Sequence, residues 1–112
     1  MTFESFTVVV VPFPFTDRPV AKRRPALVVS ASEFNDAHGQ VILAMITTAR
    51  RSDWPSDVPL RDWRKAGLTT QCRVRLKLFT LDQPIVERQL GALSKRDRDA
   101  VRASLTRAFA SA

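Results

Sequence analysis

The chain has 112 residues, 45% of them apolar, which is enough to bury one core and excludes a disordered tail. Its formal net charge is +7, and 14 of its 18 cations are arginine. That bias suits phosphate and carboxylate oxygens and tips the reading from a merely solvated basic surface toward a polyanionic partner, RNA or DNA first. The single cysteine, Cys72, excludes an internal disulfide, and the single histidine, His38, excludes most histidine-based metal sites.

Phe6 to Phe13 reads as a first strand, because Val8 to Val11 form an unbroken β-branched run suited to burial on both faces. Pro12 and Pro14 limit further sheet bonding. The apolar run Phe6 to Phe15 follows Glu4 rather than a cationic segment, so it does not read as a signal peptide. It is also too short to span a bilayer. A cytoplasmic location with no membrane partner is expected.

Thr16 to Ala21 reads as an exposed loop leading into three successive cations, Lys22, Arg23 and Arg24. Pro25 to Ser30 is a second strand, and Pro25 holds Arg24 extended. Ala31 to Gly39 is polar, a loop or short helical turn that contains His38. Gln40 to Thr48 is a third, nearly continuous apolar strand. Ala49 to Pro55 is a basic loop, and Asp57 to Leu60 a possible short strand. Leu60 to Leu68 has only loose helical spacing, ended by Gly67.

Gln71 to Phe79 alternates strictly, with Cys72, Val74, Leu76 and Leu78 on one face and Arg73, Arg75 and Lys77 on the other. Pro84 to Leu90 is a weaker strand ending at Gly91. The last element is a helix capped by Ser94, with Asp97 three residues on completing an S-x-x-D box. Val101, Leu105, Ala108 and Phe109 give it one apolar stripe. Strands followed by a terminal helix predict a small curved antiparallel sheet or barrel, mainly β, forming a single domain over 1–112 with the helix packed on the sheet.

Four groups of residues are candidates for chemistry. Arg23 and Arg24 stand at a strand mouth, although spacing alone favours a solvated hairpin end. Thr47 and Thr48 end a buried strand, where hydroxyls need a partner or a cleft; ordinary strand composition also accounts for them. Arg73, Arg75 and Lys77 repel one another on one face, which calls for an anion or for solvent at a protected edge. Trp54 lies beside Arg50 and Arg51 in a loop, suited to contact with RNA or a partner, whereas Trp63 reads as core. No P-loop, GxGxxG, HExxH or paired-cysteine spacing occurs, so no metal or other cofactor is expected.

Laid end to end, these stretches resemble the PemK/MazF family of toxins from type II toxin–antitoxin pairs. VVVVPFPFTD (Val8 to Asp17) is similar to the family's opening strand and loop, KRRPALVVS (Lys22 to Ser30) to its second strand, and LAMITT (Leu43 to Thr48) to its third. RLKLFTLD (Arg75 to Asp82) and LGALSKRDRDAVRASL (Leu90 to Leu105) resemble its final strands and helix. Phe6-Thr7 stands where the family usually has Gly-Asp.

The resemblance implies an SH3-like barrel of the CcdB/PemK/MazF type, a homodimer, and metal-independent cleavage of single-stranded RNA. It implies Arg24 and Thr47 as catalytic residues and a cognate acidic antitoxin as partner. Lys22, Arg23, Thr48, Arg50, Arg73, Arg75 and Lys77 are then the candidate RNA contacts. The alternatives on the same fold are a CcdB-like, non-enzymatic inhibitor of DNA gyrase and an RNA-binding barrel without catalysis.

Overall fold

The computed structural model describes residues 2–13, 22–48 and 52–111. Its strands are β1 (Thr7–Pro12), β2 (Arg23–Val28), β3 (Gln40–Thr47), β4 (Val58–Pro59), β5 (Arg73–Asp82) and β6 (Arg88–Ala92). Helix α1 (Ser32–His38) joins β2 to β3, and helix α2 (Lys95–Ala108) follows β6. The six strands form one curled sheet in the order β4-β5-β3-β2-β1-β6, with every pairing antiparallel.

The two faces of this sheet bury different residues. Val8, Leu27, Ala44, Ile46 and Val74 point to one side, where α2 supplies Val101 and the 60–68 segment supplies Leu60, Ala66 and Leu68. Val9, Val11, Ala26, Val28, Val41 and Leu43 point to the other, against Val86 and the partly buried Phe3, Phe79 and Leu81. The valine run of β1 thus feeds both cores, as its lack of alternation requires.

Several expected boundaries move. β2 begins at Arg23, so two cations lie within the strand, at its exposed end. The polar segment before β3 is a true helix, stopped by Gly39 in the left-handed conformation (φ 63°). The expected strand Pro84 to Leu90 is instead a turn of 3₁₀ helix, Gln83–Ile85, followed by β6. Gly91 lies inside β6 rather than ending it. A Cβ there would sit 2.7 Å from the Ala66 carbonyl oxygen, and one on Gly67 would sit 2.3 Å from that of Leu90. This close approach of two backbones lets the 60–68 segment lie against the β6 edge. That segment forms turns, not a helix.

Ser94 caps α2 as expected, accepting from the Asp97 N–H at 3.4 Å. The Asp97 carboxylate does not complete the box. It is buried and accepts the Arg61 and Asp62 N–H groups at 3.0 and 2.8 Å. Asp62 in turn takes a two-pronged contact from Arg96, both distances 2.7 Å, and the Ser94 hydroxyl at 2.6 Å. These bonds bolt the start of α2 to the 60–68 segment. No helix among the described residues is long and apolar enough to cross a membrane.

Phe6 is the one described residue other than glycine with positive φ, at 65°. Its N–H donates to the Val28 carbonyl at 2.6 Å and its own carbonyl accepts from Leu93 at 3.0 Å, which fixes the strained backbone. Its ring is buried in the core and lies under the Arg102 guanidinium, 5.2 Å from the ring centroid.

Two predictions follow from these local geometries. Phe6→Gly should be more stable than Phe6→Ala by about 1 kcal/mol, reversing the usual order, because only glycine relieves the left-handed backbone. Urea denaturation of the two variants measures the difference, and the ordinary order would show that the backbone is not strained. The second concerns Asp62. The Arg96 pair, then the Ser94 hydroxyl, hold its carboxyl well below the usual carboxylate range. A depressed folded-state pKa gives stability that is present above the unfolded value of about 4 and is lost as pH falls below it. The stability advantage of the wild type over Asp62→Asn should therefore shrink progressively below about pH 4 in urea titrations.

Candidate nucleic-acid site

Antiparallel register decides which side chains share a row and a face. Ala26 of β2 pairs with Met45 of β3, and Thr47 pairs with Arg73 of β5. The β2–β3 ladder ends at Ala26 and Met45, so Arg24 and Thr47 lie beyond its paired part and are not ladder partners. Arg24 is the partner of Val11 on β1.

Arg24 is exposed, and its guanidinium lies 5.8 Å from the Phe13 ring centroid. Phe13 packs edge-on against Phe79, with centroids 5.6 Å apart, anchoring this platform to the second core. Pro25 offers no N–H, and the β2–β3 ladder begins only at Ala26. The Arg24 end of β2 therefore extends past the paired part of the sheet on its β3 side.

Thr47 is buried and Thr48 exposed. Both line a cleft of about 560 Å³ with Arg73, Cys72, Leu60 and Trp63. Arg24 lines a separate cleft of about 520 Å³ with Arg23, Pro25, Glu87 and Arg88. Arg24 and Thr47 therefore open onto different clefts among the described residues, and no contact between them is seen there. Arg23 pairs with Glu87 at 2.6 Å on the surface, and Lys22 is exposed beside it. Lys77 is exposed on the same strand face as Arg73. Arg50 lies outside the described residues.

Arg75 departs from expectation. The alternation of β5 holds at Val74, which enters the first core, and at Cys72 and Leu78, which pack against it; Leu76 joins neither core, where the β3–β5 register shifts. The cations do not form three equal members of an open face. Arg75 is only 5% exposed, and its guanidinium is consumed from within. It donates to both Asp57 carboxylate oxygens, at 3.1 and 2.8 Å, and to the Ser52 carbonyl at 2.7 Å. The Trp54 ring covers it at 5.4 Å. Repulsion along the strand is thus relieved by two internal carboxylates: Asp57, which also lies 3.6 Å from Arg73, and Asp53, which pairs with Arg73 directly.

Burial pushes the Asp57 carboxyl up, but the Arg75 hydrogen bonds, the Trp54 N–H and the charges of Arg75 and Arg73 outweigh it and leave it below its ordinary value. Neither acid was a candidate in the sequence. An Asp directly before a Trp-Pro pair and another two residues after it carry no signal until β4 folds beside β5.

Trp54 is therefore a lid on Arg75 as well as a partly exposed aromatic. Trp63 packs against the first core, as expected. The Cys72 thiol is pushed up by burial, and His38 stacks on Phe34 at 4.6 Å, so the pair does not form a nucleophile and base.

The family model for the PemK-like, MazF-like toxin of type II toxin–antitoxin systems matches residues 4–109. The chain belongs to this family. MazF (Form-I) from Deinococcus radiodurans superposes with a TM-score of 0.71 at 25% identity, covering 96% of this chain and 96% of that one. An endoribonuclease in complex with its cognate antitoxin from a Mycobacterial species superposes with a TM-score of 0.73 at 19% identity, over 95% and 93% of the two chains. The Mycobacterium tuberculosis toxin MazF-mt6 gives 0.71 at 24% identity, over 92% and 95%. None of the curated proteins matches the sequence significantly. The fold is of the MazF type, and the CcdB-like gyrase inhibitor is not the favoured reading.

Because Arg75 is an internal tie, Arg75→Met should cost about 2–4 kcal/mol of stability by leaving Asp57 buried without its partner. Arg73→Met, at a half-exposed residue, should cost much less. Urea denaturation of both variants distinguishes them, and equal costs would contradict the division of roles.

Proposed function

We propose that this protein is the toxin of a type II toxin–antitoxin pair and cuts single-stranded RNA without a metal ion. The observation that carries the reading is the Thr47–Arg73 pair, with Arg24 exposed at the end of β2, in a chain of the MazF family. In the reaction, the ribose 2′-hydroxyl gives up its proton as its oxygen bonds to the adjacent phosphorus, and the 5′-oxygen leaves with the electron pair of the broken P–O bond and takes up a proton. A cyclic phosphate and a 5′-hydroxyl result.

Negative charge grows on the phosphoryl oxygens as the new bond forms. The Arg24 fork stabilises that charge more in the transition state than in the ground state. The Thr47 hydroxyl donates to a phosphate oxygen and holds the backbone in line. Arginine remains protonated throughout, so Arg24 acts by charge and not as a proton shuttle. Lys22, Arg23, Thr48, Arg50, Arg73 and Lys77 steer or position the RNA backbone. Arg75 serves the same site indirectly, by holding the 52–57 segment beside β5. DNA has no 2′-hydroxyl and is spared.

The net charge of +7 fits an acidic, partly disordered antitoxin segment laid over the basic surface. A structural relative is seen in complex with its cognate antitoxin, which supports such a partner here. The protein acts as a single-domain homodimer in the cytoplasm.

Purified protein free of antitoxin should cleave single-stranded RNA in EDTA and leave DNA of the same sequence intact. Arg24→Ala and Thr47→Ala should each lower the cleavage rate ~10²-fold or more without unfolding the protein. Tight RNA binding without cleavage would instead identify a catalytically silent RNA-binding barrel. Full activity in both variants would overturn the site assignment.

A further inference from the structure

Arg73 lines the cleft with Thr47 and Thr48, and it is the cross-strand partner of the proposed catalytic Thr47. Its guanidinium is not open to an incoming phosphate as it stands. The carboxylate of Asp53 is paired with its Nη1, and Asp57 lies behind at 3.6 Å. These two acids differ sharply. The Asp57 side chain is 7% exposed and tied to Arg75, whereas that of Asp53 is 74% exposed. Arg73, at 26%, sits between them. One carboxylate belongs to the interior and the other rests on the outer side of the same guanidinium.

Two arginines and two aspartates sum to zero charge in this cluster. Removal of Asp53 from its contact leaves a net positive site next to Thr47. A phosphodiester oxygen makes the same fork contact with arginine as a carboxylate does. An exposed ion pair is weak enough to exchange, worth about 0–1 kcal/mol.

We propose that Asp53 is an internal competitor for the RNA phosphate at Arg73. It occupies the guanidinium in the free protein and is displaced when a phosphodiester enters the cleft. The inference rests on the reading of this cleft as an RNA-backbone site, and it adds a determinant of affinity that cleavage chemistry does not require. Asp53 restrains nonspecific binding by a strongly basic chain, because only a backbone that also satisfies the neighbouring groups repays its displacement.

The test is a double-mutant cycle read by fluorescence anisotropy. The probe is a labelled single-stranded DNA of mixed sequence, which carries the phosphates but not the 2′-hydroxyl. Asp53→Asn should bind it about two- to fivefold more tightly than wild type at low salt, the worth of an exposed ion pair. In an Arg73→Met background the same Asp53 change should have no effect. Asp36→Asn removes a like charge from α1, which precedes the far end of the eight-residue β3, and should leave affinity unchanged.

With RNA as substrate, the Asp53→Asn gain should appear in KM. An equal affinity of wild type and Asp53→Asn would overturn the proposal. So would a gain that persists without Arg73, or one matched by Asp36→Asn, since either would mark a general charge effect. The expected coupling without any RNA cleavage would leave the proposal standing and overturn the catalytic reading instead.

Discussion

The antiparallel register across β2, β3 and β5 is the constraint on which the rest depends. It sorts every side chain of the central strands to one of two faces, so a slip by one residue would exchange them. The pairing that places Val28, Leu43 and Phe79 on one face shifts register between Leu43 and Met45, and beyond that shift it sets Thr47 beside Arg73. The candidate site is therefore the polar continuation of a hydrophobic layer.

Placing cations at the end of that layer creates an electrostatic problem, and the 52–57 segment answers it. Arg75 enters the protein and is matched by Asp57, Ser52 and the Trp54 ring. Arg73 remains at the cleft, paired with Asp53. A buried ion pair of this kind adds little net stability compared with an apolar substitute. Its effect is positional: it fixes the chain leading into β4 and so shapes one wall of the cleft. A second polar tie, Asp97 and Asp62 with Arg96 and Ser94, does the same for the segment that meets β6. Both ties use aspartate to catch backbone or arginine donors where a short strand or helix begins.

Phe6 shows a left-handed turn before β1 made without the glycine that would make it easy. The ring gained in exchange is buried under Arg102 and helps join α2 to the sheet. Local strain at this position is offset by core packing, a trade that sequence reading registers only as a missing Gly-Asp.

The sequence by itself determined the strand periodicities and the capped terminal helix. Each rests on local chemistry: β-branched runs, strict alternation and a Ser cap, whereas the choice of Arg24 and Thr47 came through the family resemblance. The sequence also carried the family, through stretches spread along nearly the whole chain. What it left open depends on neighbours distant in the chain. Three cations on alternate positions look equivalent until β4 brings Asp57 beside Arg75, 18 residues away. Gly91 reads as a strand end until the Ala66 carbonyl is found against it. Asp53 looks like a loop residue until the fold sets its carboxylate on Arg73. Only the tertiary structure could decide these, because burial and charge pairing are properties of what packs against a residue, and spacing along the chain does not encode them.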